Sequence, residues 1–189
     1  MPRHVLCGFT RSPPRLRVPR AVTRPKTIPD FYRASTYCAE ESVGFLMKRI
    51  VVSAVQQVDR RLQTLGLTNA QWGPLLRLHT AGPCTVAELS RWLFVDAGAM
   101  TRMLDRLEQK QLCRRVRSSA DRRVVQVELT PEGEAAVAGV PPVLAEVMNE
   151  HLAGFTRAEW QTLKALLHRV VANGDALREA AADSGREAA

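Results

Sequence analysis

Ala97-Gly98-Ala99-Met100-Thr101-Arg102-Met103-Leu104-Asp105-Arg106-Leu107-Glu108-Gln109-Lys110 is followed closely by Cys113-Arg114-Arg115-Val116-Arg117 and then by Val124-Val125-Gln126-Val127-Glu128-Leu129. The hydrophobic period changes within this stretch. Met100, Met103, Leu104 and Leu107 recur at helical spacing, which predicts a helix whose other face carries Thr101, Arg102, Asp105, Arg106 and Gln109. After Lys110 the period falls towards two, which predicts two strands. Ser118-Ser119-Ala120-Asp121-Arg122-Arg123 joins them and is too long for a two-residue hairpin turn, so it should project as a loop.

The flanking sequence supplies helix starts. Thr68 with Gln71, Thr85 with Glu88, and Thr156 with Glu159 have capping-box spacing, and Asp96 is placed to cap the helix at 97–110. Gly82-Pro83 separates two short helices. Trp72, Leu75, Leu76 and Leu78 form the apolar set of the first, and Val86, Leu89, Trp92 and Leu93 that of the second. The short turn at 93–96 sets the next helix across its predecessor, as a recognition helix requires. Upstream, Val43, Leu46, Met47, Ile50, Val51, Ala54, Val55, Val58 and Leu62 mark a long amphipathic helix, a kind usually held by a partner surface. Downstream, Thr130-Pro131-Glu132 restarts a helix and Pro141-Pro142 kinks or interrupts it. A last helix should run from about Arg157 to Ala172. The expected fold class is mostly α (α+β): a winged helix-turn-helix lobe over 66–140, with helices at 34–65 and 141–175 forming a dimerisation region. Residues 176–189, with few large apolar groups, should be a frayed tail.

Net charge is +8, but its placement matters more than its size. Residues 1–29 hold seven basic and no acidic side chains, together with six of the eleven prolines. That composition predicts a disordered basic arm; a start codon assigned too early is the other account of it. The folded body is close to neutral and polarised. Between Arg106 and Arg123 seven bases face Glu108 and Asp121, whereas from Glu128 onward ten acids outnumber five bases. Cysteines 7, 38, 84 and 113 are scattered, without metal-ligand spacing, so neither a metal site nor a cofactor is expected. No uncharged apolar run reaches transmembrane length and no signal-peptide core follows the basic N-terminus, which points to the cytoplasm and away from membranes. An enzyme is not expected, because no nucleophile–base pair, carboxylate dyad or glycine-rich phosphate loop stands out.

Motif and charge coincide on the helix at 97–110 and the hairpin after it, which together predict a surface for double-stranded DNA. Thr85, Asp96, Ala97, Gly98, Thr101, Arg102 and Arg106 are the candidate contacts from the helix-turn-helix, the small residues at 97–99 allowing close approach to a groove. Arg117, Ser118, Ser119, Asp121, Arg122 and Arg123 are the candidates from the hairpin. Asp121 is read as an orienting carboxylate that fixes the fork of one neighbouring arginine and aims the other at the minor groove. If a dimer contacts about six to ten phosphates, affinity falls by about three to five decades between about 50 and 200 mM salt.

Leu89-Ser90, the run Met100–Glu108, Leu112, Arg115, Asp121-Arg122-Arg123, Leu129-Thr130 and Gly133, in that order, resemble the pattern of MarR-type regulators over about residues 38–172. The resemblance implies a homodimer with interlocking terminal helices, bound to a pseudo-palindromic operator. It also implies a wing whose Asp-x-Arg enters the minor groove, making Arg123 the preferred reader. Repression relieved by a small aromatic or phenolic anion follows from the same resemblance, with Phe45, Arg49, Trp72 and His79 as pocket candidates. Each candidate but Phe45 has a plainer role: Trp72 as a core aromatic, His79 closing a helix, Arg49 in an intersubunit salt bridge. One branch of the family senses thiol oxidation near the region of Cys38, but Thr36-Tyr37-Cys38-Ala39-Glu40 does not reproduce its pattern. A thiol-oxidation-sensing regulator of the same fold and a winged helix serving as a protein–protein module are the alternatives, and the module would not need the hairpin arginines.

Overall fold

The computed structural model describes residues 28–118 and 121–187. Residues 1–27, which include nearly all of the expected basic arm, and Ser119 and Ala120 of the hairpin loop lie outside them. The chain divides into two compact units, one running to Val147 and the other from Met148 onward.

In the first unit a separate 3-10 turn, Ala34–Thr36, precedes the long helix, so α1 (Val43–Leu62) begins later than the change of composition at Ala34 suggests. Its orphan N-terminal donors are met locally. The Ser42 hydroxyl accepts from the Phe45 N–H at 3.2 Å, and the Tyr32 hydroxyl accepts from the Val43 N–H at 2.9 Å. After α1 a 3-10 turn leads to Gly66, whose φ of 67° is left-handed and reverses the chain.

Helices α2 (Asn69–Ala81), α3 (Val86–Leu93) and α4 (Ala97–Gln109) follow, and the expected caps hold their starts. Gln71 Oε1 accepts from the Thr68 N–H at 3.1 Å, and Asp96 Oδ1 accepts from the Ala99 N–H at 2.8 Å. Thr85 and Glu88 bond reciprocally, the Glu88 carboxylate accepting the Thr85 N–H at 2.7 Å and its hydroxyl at 2.9 Å. Those two bonds hold the Glu88 carboxyl below the usual carboxylate range, so their support for α3 is lost as pH falls through that depressed pKa.

Strands β1 (Cys113–Arg117) and β2 (Val125–Leu129) pair antiparallel from Cys113 opposite Leu129 to Arg117 opposite Val125. The root of this hairpin is tied to the α2–α3 connection as well. Val127 N–H donates to the Cys84 carbonyl at 2.8 Å, and Cys84 N–H returns the bond at 3.2 Å. Helix α5 (Pro131–Ala138) starts on the Thr130 cap, and α6 (Val140–His151) follows after Gly139. The helix is thus interrupted at Gly139 rather than kinked, just before Pro141 and Pro142. They occupy the first turn of α6, where an N–H has no intrahelical partner to lose.

One core joins these elements. Leu62, Leu75, Leu89, Leu104, Leu107, Val127 and Val137 are fully buried, each leucine contributing about 1.5–3 kcal/mol. Trp92 departs from its expected inward place and is 48% exposed. The buried residues of α3 are Leu89 and Ser90. The inward direction therefore lies between them, and at 100° per residue Trp92 falls well outside it.

In the second unit Thr156 caps α7 (Arg157–Glu187), donating its N–H and hydroxyl to Glu159 Oε2 at 2.8 Å each. The helix continues past Ala172 and through most of the stretch expected to fray. Large apolar residues thin out there, but alanine has the highest intrinsic helix propensity and keeps the backbone helical without them.

Candidate nucleic-acid interface

Helix α4 turns Met100, Leu104 and Leu107 into the core, which leaves Thr101, Arg102, Asp105, Arg106 and Gln109 exposed along its other face. At its start Asp96, Ala97 and Gly98 are exposed, the Asp96 carboxylate spent on the cap. The Thr101 hydroxyl donates to the Ala97 carbonyl at 2.8 Å, and Arg106 Nε donates to the Arg102 carbonyl at 3.2 Å. Neither arginine has a carboxylate partner among the described residues. Thr85 sits one helix earlier with its hydroxyl engaged by Glu88, so it serves α3 first.

The hairpin arginines divide into two groups. Arg114 faces Glu128 across the ladder and pairs with it at 2.6 Å. Arg115 turns to α4, where its guanidinium bonds Glu108, Asp105 (2.8 Å) and the Thr101 carbonyl (3.3 Å). Lys110 reaches back to the Gly66 carbonyl at 2.8 Å and Gln71 Oε1 at 3.1 Å. Three of the seven bases counted between 106 and 123 are thus consumed inside the lobe. Arg106, Arg117, Arg122 and Arg123 have no acidic partner among the described residues and are exposed.

The loop itself is closed by backbone. Ser118 N–H donates to the Val124 carbonyl and Val124 N–H to the Asp121 carbonyl, both at 2.9 Å. Asp121 Oδ1 accepts the backbone N–H of Arg123 at 2.9 Å, and Ser118 Oγ accepts the Asp121 N–H at 3.4 Å. Asp121 therefore orients the backbone at Arg123 rather than gripping an arginine fork as the sequence suggested. A short acidic side chain two residues upstream reaches an N–H more easily than a guanidinium. The expected contact Ser119 lies outside the described residues.

Residues 67–125 match the sequence model of the MarR family. The multiple antibiotic resistance protein MarR of Salmonella typhimurium is 34% identical over 128 residues, covering 65% of this chain and 89% of that protein. The chain belongs to the MarR family. A crystal structure of a mutant MarR from E. coli complexed with operator DNA superposes with a TM-score of 0.63 at 32% identity, over 68% of this chain and 92% of that one. Bordetella bronchiseptica BpsR, whose DNA binding is regulated by 6-hydroxynicotinic acid, gives a TM-score of 0.65 at 27% identity, over 71% and 96%. This protein is accordingly a MarR-family transcription regulator with the mostly helical winged-helix fold.

Of the four ligand candidates of this MarR-family chain, two line one groove. Phe45 and Arg49 line a shallow groove on α1 with Lys48, Val52, Ser53 and Gln56, and neither Trp72 nor His79 lines it. Trp72 packs half-buried against the core with its Nε1–H donated to Asn69 Oδ1 at 3.1 Å. His79 Nδ1 lies 2.6 Å from Glu134 Oε2, which ties α2 to α5. Cys84 and Cys113 are buried, as small fillers should be. Burial raises the Cys84 thiol and pushes Cys113 up to about 12, with Glu108 adding to the second shift and Arg115 opposing it. Cys38 is exposed and its thiol donates to Glu40 Oε2 at 3.5 Å. Among the described residues no helix is long and apolar enough to cross a membrane.

Proposed function

We propose that this protein is a sequence-specific, double-stranded DNA-binding regulator that acts in the cytoplasm as a homodimer on a pseudo-palindromic operator, repressing until a small aromatic or phenolic anion binds. The observation that carries the DNA reading is the set of unpaired, exposed arginines: Arg102 and Arg106 on α4, and Arg117, Arg122 and Arg123 on the adjacent wing. They supply phosphate and base-edge donors from two elements held in one lobe. The operator complex of E. coli MarR supports that reading. The control of BpsR by 6-hydroxynicotinic acid supports an aromatic anion as the effector class, for which Arg49 and Lys48 beside Phe45 offer charge and an apolar wall.

Dimerisation rests on the helices outside the lobe. Val43, Leu46, Ile50, Val51 and Val55 are exposed along α1, and Leu166, Leu167, Val170 and Val171 along α7. Apolar faces of this extent need covering. Replacing Ile50 and Val51 together by Asp should give a folded monomer in sedimentation, with operator affinity falling by at least about a hundredfold as the second half-site is lost. A doubly substituted chain that stays dimeric would remove α1 from the interface.

The decisive test is selection of bound sequences from random duplex DNA, with and without a panel of aromatic carboxylates. Enrichment of an inverted repeat with half-sites about one helical turn apart supports the regulator reading, and its absence sinks it. A carboxylate that lowers affinity for the selected repeat identifies the effector class; if none does, release by such an anion is wrong.

A further inference from the structure

We propose that Arg115 is a positioning residue for DNA recognition: it fixes the wing to the recognition helix and keeps two carboxylates of that helix neutralised, without touching DNA. The inference rests on the DNA-binding reading above.

Arg115 opposes Val127 in the strand ladder, yet its side chain leaves the hairpin and spans two turns of α4. Nη1 pairs with Glu108 Oε2, Nη2 pairs with Asp105 Oδ1 at 2.8 Å, and Nη2 also donates to the Thr101 carbonyl at 3.3 Å. The backbone N–H of the same residue donates to the other Glu108 oxygen at 2.7 Å. A single residue therefore fastens β1 to α4 through both its main chain and its side chain. A fork of this shape fixes angle as well as distance, which a lysine ammonium cannot do.

Placement makes the fastening matter. Asp105 lies on the exposed α4 face, between Arg102 and Arg106, and its side chain is half exposed. Left without Arg115, its charge would stand among the groups that meet phosphate. Arg115 and Glu108 are each less than a third exposed, so neither is placed for contact with a duplex as Arg102 and Arg106 are. Loss of the fork would both release Asp105 and let the wing swing relative to α4, moving Arg122 and Arg123 out of register with the helix contacts.

The test compares full-length wild type, Arg115→Ala and Glu108→Gln by selection from random duplex DNA and by affinity for the selected repeat across salt. The two variants shift net charge in opposite directions. A positioning role predicts that both lower affinity by about tenfold, equivalent to about 1.4 kcal/mol. Both should also flatten base preference at the flanks beneath the wings and keep the central preferences read by α4. Because displaced wing arginines give up phosphate contacts, any fall in salt slope should be shared by both variants. If Arg115 contacts phosphate instead, Arg115→Ala lowers the slope by about one per protomer and Glu108→Gln, which frees the guanidinium, tightens binding. That pattern overturns the proposal, as does wild-type selection by Glu108→Gln, which decides the matter even if Arg115→Ala does not fold. Failure of wild type itself to enrich any repeat strikes the regulator reading rather than the role of Arg115.

Discussion

Gly133→Ala is expected to cost about 3 kcal/mol or more of folding free energy, a large part of what holds a domain of this size together. Gly133 is in the first turn of α5, and its N–H donates to the Thr130 hydroxyl at 3.0 Å. A methyl group there would land inside the Leu112 carbonyl group and within 3.2 Å of Leu129 Cδ2. The obstacle is backbone, so no rotamer change clears it. Leu112 cannot retreat, because its N–H is bonded to the Leu107 carbonyl at 2.9 Å and its carbonyl accepts the Thr130 N–H at 3.3 Å. Either α5 moves off the hairpin root, exposing Val137, or β1 loses its connection to α4. Denaturant unfolding of wild type and variant measures the loss. An unchanged midpoint would mean that α5 slides away at little cost, contrary to the packing described.

Arg123→Ala should leave the fold and the proposed dimer intact and lower operator affinity by about a hundredfold or more. A groove contact by arginine is worth about 1–3 kcal/mol, and the proposed dimer would lose two of them. The side chain is exposed and has no acidic partner among the described residues, so little folding free energy depends on it. Its backbone is held by Asp121 at 2.9 Å, which limits the directions the side chain can take. The salt slope should fall by up to about two for the dimer. Arg114→Ala is the control: Arg114 is paired with Glu128 at 2.6 Å, and its loss should change operator affinity far less. Operator binding unchanged by Arg123→Ala would transfer the role of groove reader to Arg122.

The order of elements was legible because local rules govern it. Thr85 with Glu88 and Asp96 with Ala99 are bonds between residues three apart, and a change of period at Lys110 marks where helix gives way to strand. The limits of α7 were less legible, since apolar spacing records which residues are buried and says little about an alanine-rich helix that buries few. Within the site, sequence placed the arginines on the correct elements but could not say which were free. The pairing of Arg114 with Glu128 follows from strand register, which a hairpin with a long loop does not fix. The pairing of Arg115 with Asp105 and Glu108 depends on the angle at which β1 leaves α4, a property of packing. Of the ligand candidates, Trp72 and His79 belong to α2, and Phe45 and Arg49 to a groove on α1.

Val127 is fully buried and bonded in both directions to Cys84, so the hairpin is anchored at its root by contacts that involve none of the residues at its far end. Arg117, Asp121, Arg122 and Arg123 are all exposed and add nothing to the core. The residues that hold the hairpin in the lobe and the proposed DNA contacts at its tip are thereby separate. A chain of this build can accept a foreign connection between Arg117 and Val124 and still fold, and if the tip reads DNA as proposed, a lineage can drift towards new operators one tip residue at a time without first acquiring spare stability.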